Sequence, residues 1–159
     1  GFVTAMPRRG AFVANISIGD IRDIFALREV LDCMAVSLAT DRVSPEELDR
    51  FEALFRELLD VPEDASTHRM TEIDVSFHQM VHEASGNKWL KELLGLLLDK
   101  SLLIRTISLE FPGRMKHSCL EHLELIDAFR AGDRQAAKEL ARQHVVNARD
   151  AVLKSVEDL

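Results

Sequence analysis

The chain has 159 residues, of which 47% are apolar, and its formal net charge is −7. This length and apolar content fit one globular domain with a single sizeable core. An acidic chain without a long basic run is a poor nucleic-acid binder by itself, because neutralising phosphates requires clustered Lys and Arg. The longest apolar runs are far too short to span a bilayer.

Only two cysteines occur, Cys33 and Cys119, and they form no C-x-x-C motif. Both fall in helical patterns, where a free cysteine behaves as a small apolar residue. This usage predicts a reducing, cytoplasmic setting.

Residues 1–14 differ in composition from the rest of the chain. Phe2–Thr4 and Ala11–Ala14 favour strands, and Met6–Gly10 between them is typical of a hairpin turn. A lone hairpin is marginally stable in water. We therefore expect this hairpin to belong to a domain further upstream in a longer protein.

From Ile16 onward the apolar residues recur at helical spacing, which predicts six helices. Ser17 with Asp20 is typical of a capping box, and Ser44 followed by Pro45 predicts the start of the second helix. The later helices are predicted from between 64 and 67 to 84, over 88–110, over 115–131, and from 133 almost to the end. Because the loops are short, the sequence predicts an all-α, antiparallel six-helix bundle.

A group of polar residues on these helices suggests a metal site. Asp74 and His78 are four residues apart, so they lie on one face of the third helix. His122 and His144 flank the turn near Gly132 at similar distances and come within roughly 3 Å of the same height in an antiparallel pair. One carboxylate and three imidazoles suit Zn²⁺, Ni²⁺, Mn²⁺ or Fe²⁺.

Each of these residues also has a structural explanation. A single D-x-x-x-H pair on a helix is more often a surface or capping pair than a pair of ligands. His82, one turn beyond His78, offers a substitute ligand, whereas His68 and His117 fit solvated positions. From spacing alone, a four-ligand site and a set of ordinary core histidines both remain open.

Several short motifs together resemble a known family. They are Leu27–Asp32, Asp74-x-x-Phe77-His78, Ser85-Gly86-Asn87, Glu121-His122, Ala131-Gly132-Asp133 and His144. Over its whole length the chain resembles the C-terminal sensor domain, called FCD, of GntR-family transcription regulators in the FadR subfamily. In metal-binding members the D-x-x-x-H pair and two later histidines are the ligands, which implies Asp74, His78, His122 and His144 here. Asp32 departs from the family, which usually has Glu at this position, so the role of this carboxylate stays open.

The resemblance also implies a division into domains. Residues 1–14 resemble the wing that ends a winged helix-turn-helix DNA-binding domain, and residues 15–159 resemble the effector domain. Six helices are similar to the shorter, VanR-like branch. In the intact regulator Arg8 and Arg9 of the wing would contact operator DNA, and the family resemblance implies a homodimer.

Two arginines, Arg28 and Arg105, fall on interior stripes of their helices. Two interpretations remain open: pairing with a nearby carboxylate such as Asp32, or bidentate binding of an organic acid. The family resemblance implies a small carboxylate or sugar-acid effector beside the metal. The polar residues expected to line the same cavity are Ser101, Ser108 and Asn147.

Three functions compete at this point. The first is the metal-containing effector sensor of a transcription regulator, the second a metal-dependent enzyme on a helical bundle, and the third a metal-free dimerisation bundle. Four protein ligands would already crowd the metal, which disfavours the enzyme. Glu83 and Glu121 are sequence neighbours of histidines, so we expect them to face away from the site.

Overall fold

The computed structural model of the chain describes residues 3–6, 10–13, 17–62 and 67–157. Its first part is the predicted hairpin, in which β1 (Val3–Met6) pairs antiparallel with β2 (Gly10–Val13). The connecting residues 7–9, which include Arg8 and Arg9, lie outside the described residues. Their predicted role as wing residues therefore stays a prediction.

Six helices follow the hairpin within the described residues, and the all-α prediction is confirmed. They are α1 (Ile18–Ala39), α2 (Pro45–Leu59), α3 (Thr67–Ala84), α4 (Lys88–Glu110), α5 (Arg114–Arg130) and α6 (Arg134–Glu157). Their ends differ from the predicted ends by a residue or two, which is within the ordinary uncertainty of helix termini. None of the helices in the described ranges has the length and apolar character needed to cross a membrane.

The predicted helix starts are confirmed by their caps. At α1 the Asp20 N–H donates to Ser17 Oγ at 3.1 Å, and the Ser17 N–H donates to Asp20 Oδ2 at 3.0 Å. At α2 the Glu47 N–H donates to Ser44 Oγ at 3.2 Å, with Pro45 in the first turn. These bonds satisfy amide groups that have no partner within the helix.

The turn between α3 and α4 is held by Gly86 and its neighbours. Gly86 has φ +66°, and a Cβ there would meet the guanidinium of Arg42, which donates to the Ser85 carbonyl at 2.5 Å. Asn87 then caps α4 by accepting from the Leu90 N–H at 3.1 Å. This tight turn returns the chain beside α3, which places the polar residues of α4 against those of α3.

The apolar core has two parts. The larger cluster contains Phe51, Phe55 and Phe77, with Phe51 and Phe77 in an edge-to-face contact at 5.2 Å. The smaller cluster includes Phe25 and Val145. Two small cavities, described below, are lined by apolar residues of both clusters and by buried charged residues. The buried charged residues therefore lie where the two clusters meet.

Candidate metal and effector site

The four predicted metal ligands come together from three helices. Asp74 and His78 project from α3, His122 from α5 and His144 from α6, and all four are buried. Each offers one ligand atom, and these atoms lie within 4.8 Å of one another. His122 and His144 lie on either side of the Gly132 turn, and their side chains come together as the sequence predicts.

The distances within this group suit a metal ion. Asp74 Oδ1 lies 3.5 Å from His122 Nε2 and 3.7 Å from His78 Nε2. Two ligand atoms on a tetrahedral zinc, each bonded at about 2.0–2.2 Å, are roughly 3.3–3.6 Å apart. The observed separations are too long for hydrogen bonds but close to this spacing.

Three imidazole nitrogens of this group have no hydrogen-bond partner among the described residues. Among the described residues, His78 Nε2 and both ring nitrogens of His122 are buried without a hydrogen bond. Burying a polar group without a partner is costly, so such atoms in a folded protein call for an explanation. The His122 ring is held by stacking on Phe55 at 4.7 Å, which positions it without using its nitrogens. The donor set therefore fits a divalent ion.

The protonation states of the group favour metal binding as well. Burial, and then Arg105, lower the pKa of His78 to about 3. Burial, and then His144, hold the pKa of His122 well below its usual range. Burial would raise the pKa of Asp74, but Arg105 and His78 outweigh it and keep the carboxyl ionised. Neutral imidazole and ionised carboxylate are the forms that bind metals.

Glu121 contacts the ligand set, and the expectation that it faces away is wrong. Its Oε2 lies 2.6 Å from His144 Nδ1 and accepts from Arg114 Nη2 at 2.8 Å. Its Oε1 accepts from Asn147 Nδ2 at 2.6 Å. α6 packs against α5 and brings His144 to Glu121. A carboxylate on Nδ1 leaves Nε2 of the same imidazole free for a metal.

The two predicted effector-binding arginines both form buried ion pairs. Arg105 pairs with Asp74 Oδ2, and Arg28 Nε donates to Asp32 Oδ2 at 3.1 Å. Burial, and then Arg105, lower the pKa of Arg28 to about 10, so Arg28 stays charged at neutral pH. Burial would raise the pKa of Asp32, but Arg28 and His82 more than offset it. The pairing interpretation therefore holds for both arginines.

The ion pairs leave some guanidinium N–H donors without a hydrogen-bond acceptor among the described residues. Arg28 Nη2, Arg105 Nε, and both Nε and Nη1 of Arg114 are buried and have no hydrogen-bond acceptor among the described residues. The same is true of Ser118 Oγ. All four side chains line one cavity together with Asp74 and His144. Sequence reasoning missed Arg114, the first residue of α5, and Ser118, which lies one turn further on.

Of the other residues predicted to line the effector cavity, Ser108 does so and Asn147 does not. Ser108 lines the cavity and donates to the Ala148 carbonyl at 3.3 Å. Asn147 lies beside Glu121 instead of lining that cavity, because its place on α6 turns it toward α5. The side chain of Ser101 lies outside the described residues. His68 and His117 are exposed, as predicted.

His82 stands apart from the four-residue group. Its Nε2 lies 3.2 Å from Asp32 Oδ1, and both side chains are buried. Together with His78 they form a second group whose ligand atoms lie within 4.8 Å of one another.

The family model for the FCD domain matches residues 23–147, so this chain belongs to the FCD domain family. The uncharacterised HTH-type transcriptional regulator YdhC of Bacillus subtilis (strain 168) is 25% identical over 150 residues. That alignment covers 91% of this chain but only 65% of YdhC. The predicted FCD domain is therefore confirmed, and YdhC is named as a transcriptional regulator.

Solved structures have the same fold. The metal-free FCD domain of TM0439 superposes with a TM-score of 0.80 at 22% identity, covering 92% of this chain and 100% of that domain. The Zn²⁺-bound FCD domain of TM0439 superposes with a TM-score of 0.75 at 23% identity, with the same coverage.

Proposed function

We propose that this chain is the effector-sensing and dimerisation domain of a cytoplasmic GntR-type transcription regulator. It binds a divalent metal through Asp74, His78, His122 and His144, and a small organic acid beside the metal. The observation that carries the proposal is the convergence of unpaired imidazole nitrogens and unpaired guanidinium donors on adjoining buried spaces. The regulatory names of the relatives support a sensor over an enzyme.

The donor set supports the metal part of the proposal. One carboxylate and three imidazoles suit Zn²⁺, Ni²⁺, Mn²⁺ or Fe²⁺, and the Zn²⁺-bound TM0439 domain shows that an FCD domain can hold such an ion. When bound, the ion supplies Lewis-acidic positions that carboxylate oxygens can occupy. Glu121 orients His144 for this role, and Arg105 holds Asp74 so that Oδ1 faces the histidines.

The unpaired arginine donors support an anionic effector. Guanidinium groups bind carboxylates through paired hydrogen bonds, and buried donors without an acceptor are costly to maintain. The guanidinium groups of Arg28, Arg105 and Arg114 are each balanced by one carboxylate in an ion pair. A divalent ion would therefore leave the site with excess positive charge, which an organic acid would offset.

The size of the cavity indicates that effector binding must move the helices. The cavity beside the metal ligands has a volume of about 20 Å³, which is room for about one water molecule. A carboxylate that binds Arg28 and Arg105 has to widen it. Arg28 lies on α1, which begins at Ile18, a few residues after the hairpin ends at Val13. Movement of α1 would thus be passed to the DNA-binding domain that we place before it.

A thermal-shift screen of hydroxy, keto and sugar acids tests the coupling of effector to metal. An acid at a hundred times its dissociation constant stabilises the fold by roughly 2.7 kcal/mol. For a domain of this size, that predicts a rise in melting temperature of roughly 5–10 °C. The rise in melting temperature caused by the acid should become much smaller after the metal is removed by a chelator. It should also become smaller in Arg28→Ala and in Arg105→Ala. A shift that keeps its full size in metal-free protein would show that the acid does not bind on the metal.

A further inference from the structure

Asp32 has the same arrangement of partners as the metal ligand Asp74. Its Oδ2 accepts from Arg28 Nε at 3.1 Å, and its Oδ1 faces His82 Nε2 at 3.2 Å. Asp74 likewise pairs through Oδ2 with Arg105 and presents Oδ1 to imidazoles. In both cases an arginine fixes one carboxylate oxygen and leaves the other beside a buried histidine.

His78 stands between the two carboxylates. It precedes His82 by four residues on α3, and their ring centroids are 6.2 Å apart. Two histidines at this spacing on one helix face can bind a single zinc ion. Asp32, His78 and His82 are all buried, and they each offer a ligand atom within 4.8 Å of the others. His78 Nε2 has no hydrogen-bond partner in the part of the chain that the structure describes.

We propose that Asp32, His78 and His82 form a second position for a divalent metal, which shares His78 with the four-ligand position. A neutral imidazole has one nitrogen with a free lone pair, so His78 binds one ion at a time. The chain therefore still holds one ion, at either of two places. The inference rests on the proposed metal-binding role of His78 and adds a distinct set of ligands to it.

The local geometry and chemistry fit this assignment. The 3.2 Å between Asp32 Oδ1 and His82 Nε2 suits a hydrogen bond, and it is also close to the roughly 3.3–3.6 Å between neighbouring ligands on zinc. A small cavity of about 10 Å³ is lined by Asp32, His78, His82 and also His144, so the two positions adjoin. Three protein ligands bind more weakly than four but leave positions open for ligand oxygens.

The test removes the four-ligand position and leaves the other intact. In the double variant His122→Gln/His144→Gln, which keeps polar side chains in the buried site, the chain should still bind about one Zn²⁺, more weakly than the wild type does. Adding His82→Ala should weaken this remaining binding by about tenfold or more, because even the loss of partners around a ligand costs 10–100-fold. The measurement is competition for Zn²⁺ with a chromophoric chelator, with circular dichroism confirming that each variant is folded.

His68→Ala in the same double variant is the matched control, since His68 is an exposed histidine on α3. It should leave Zn²⁺ affinity unchanged. If the wild type binds Zn²⁺ and the folded double variant binds none, the second position is refuted while the proposed function stands. Equal affinity with and without His82 also overturns it. A wild type that binds no Zn²⁺ refutes both the second position and the proposed metal-binding function.

Discussion

Glu121 connects the ligand set to its surroundings. It joins α5 to α6 by accepting a hydrogen bond from Asn147 and contacting His144 Nδ1, and it also accepts from Arg114 on its own helix. Burial would raise the pKa of Glu121, but His144 and then Arg114 lower it to about 2, so it is ionised at any pH at which the protein works. A charged acceptor at Nδ1 orients the imidazole and raises its basicity as a ligand.

Replacing Glu121 should therefore weaken metal binding without removing a ligand. Glu121→Gln keeps the size of the side chain but loses its charge, and we expect the metal affinity to fall by about 10–100-fold. Competition with a chelator measures the change. Glu124→Gln is the matched control, because Glu124 is exposed on the same helix. Equal affinities for the two variants would show that Glu121 does not support the site.

The buried histidines should also make the metal-free protein sensitive to acid. In the folded chain the pKa of His78 is about 3, whereas an unfolded histidine titrates near 6.5. Between these values the unfolded chain binds the extra proton and the folded chain does not, so stability is present above pH 6.5 and is lost as the pH falls. We expect roughly 1–2 kcal/mol of unfolding free energy to be lost through His78 between pH 6.5 and 5.

Urea unfolding of chelator-treated protein at the two pH values measures this loss. His78→Gln should reduce the difference between them, and His68→Ala should not. If the metal-free wild type is equally stable at pH 6.5 and pH 5, these histidines are not held neutral by burial.

The convergence of the four candidate ligands could be predicted from the sequence, but their surroundings could not. Asp74 and His78 share a helix, and the Gly132 turn fixes the relative heights of His122 and His144. The rotation of α5 about its axis, relative to α6 and α4, decides whether Glu121, Arg114 and Ser118 reach the site. The spacing of residues along the chain does not determine that rotation. For the same reason the sequence does not predict that Asn147 donates to Glu121.

Among the helices, the turn from α3 to α4 positions the site most directly. It brings Arg105 on α4 against Asp74 on α3. Gly86 makes this turn in the left-handed region, where a side chain is strained. The sequence predicts a break between the helices here, because Gly86 suits that conformation and Asn87 suits the following cap. The close approach of Arg42 is a long-range contact that the sequence does not reveal.

Gly86→Ala should accordingly destabilise the chain by about 1–3 kcal/mol, the typical cost of backbone strain at one residue. Gly95→Ala is a control of opposite sign. Gly95 lies within α4 and has open space around its Cα, so alanine there should stabilise the helix by up to about 1 kcal/mol. Urea denaturation compares the two. A Gly86 variant as stable as the Gly95 variant would show that the turn is not constrained.

The whole chain carries a net charge of −7 and spans 65% of the length of its Bacillus relative. An acidic chain is a poor binder of operator DNA by itself, because neutralising phosphates requires clustered Lys and Arg. The proposed regulator therefore needs the DNA-binding domain to which we assign the hairpin, and light scattering of the chain tests the proposed homodimer.

The all-α fold was predictable because helix caps and apolar spacing agree along the chain, whereas the packing of the helices depends on side chains distant in sequence.

The metal content of the purified chain tests the central claim most directly. Elemental analysis of protein prepared without chelator should find about one divalent ion per chain, since the four ligands form one site. His144→Ala should lose most of the ion, because it removes a ligand, and the exposed-histidine variant His68→Ala should keep it. A wild-type chain that contains no metal, or a His144→Ala variant that keeps a full ion at wild-type affinity, would contradict the account.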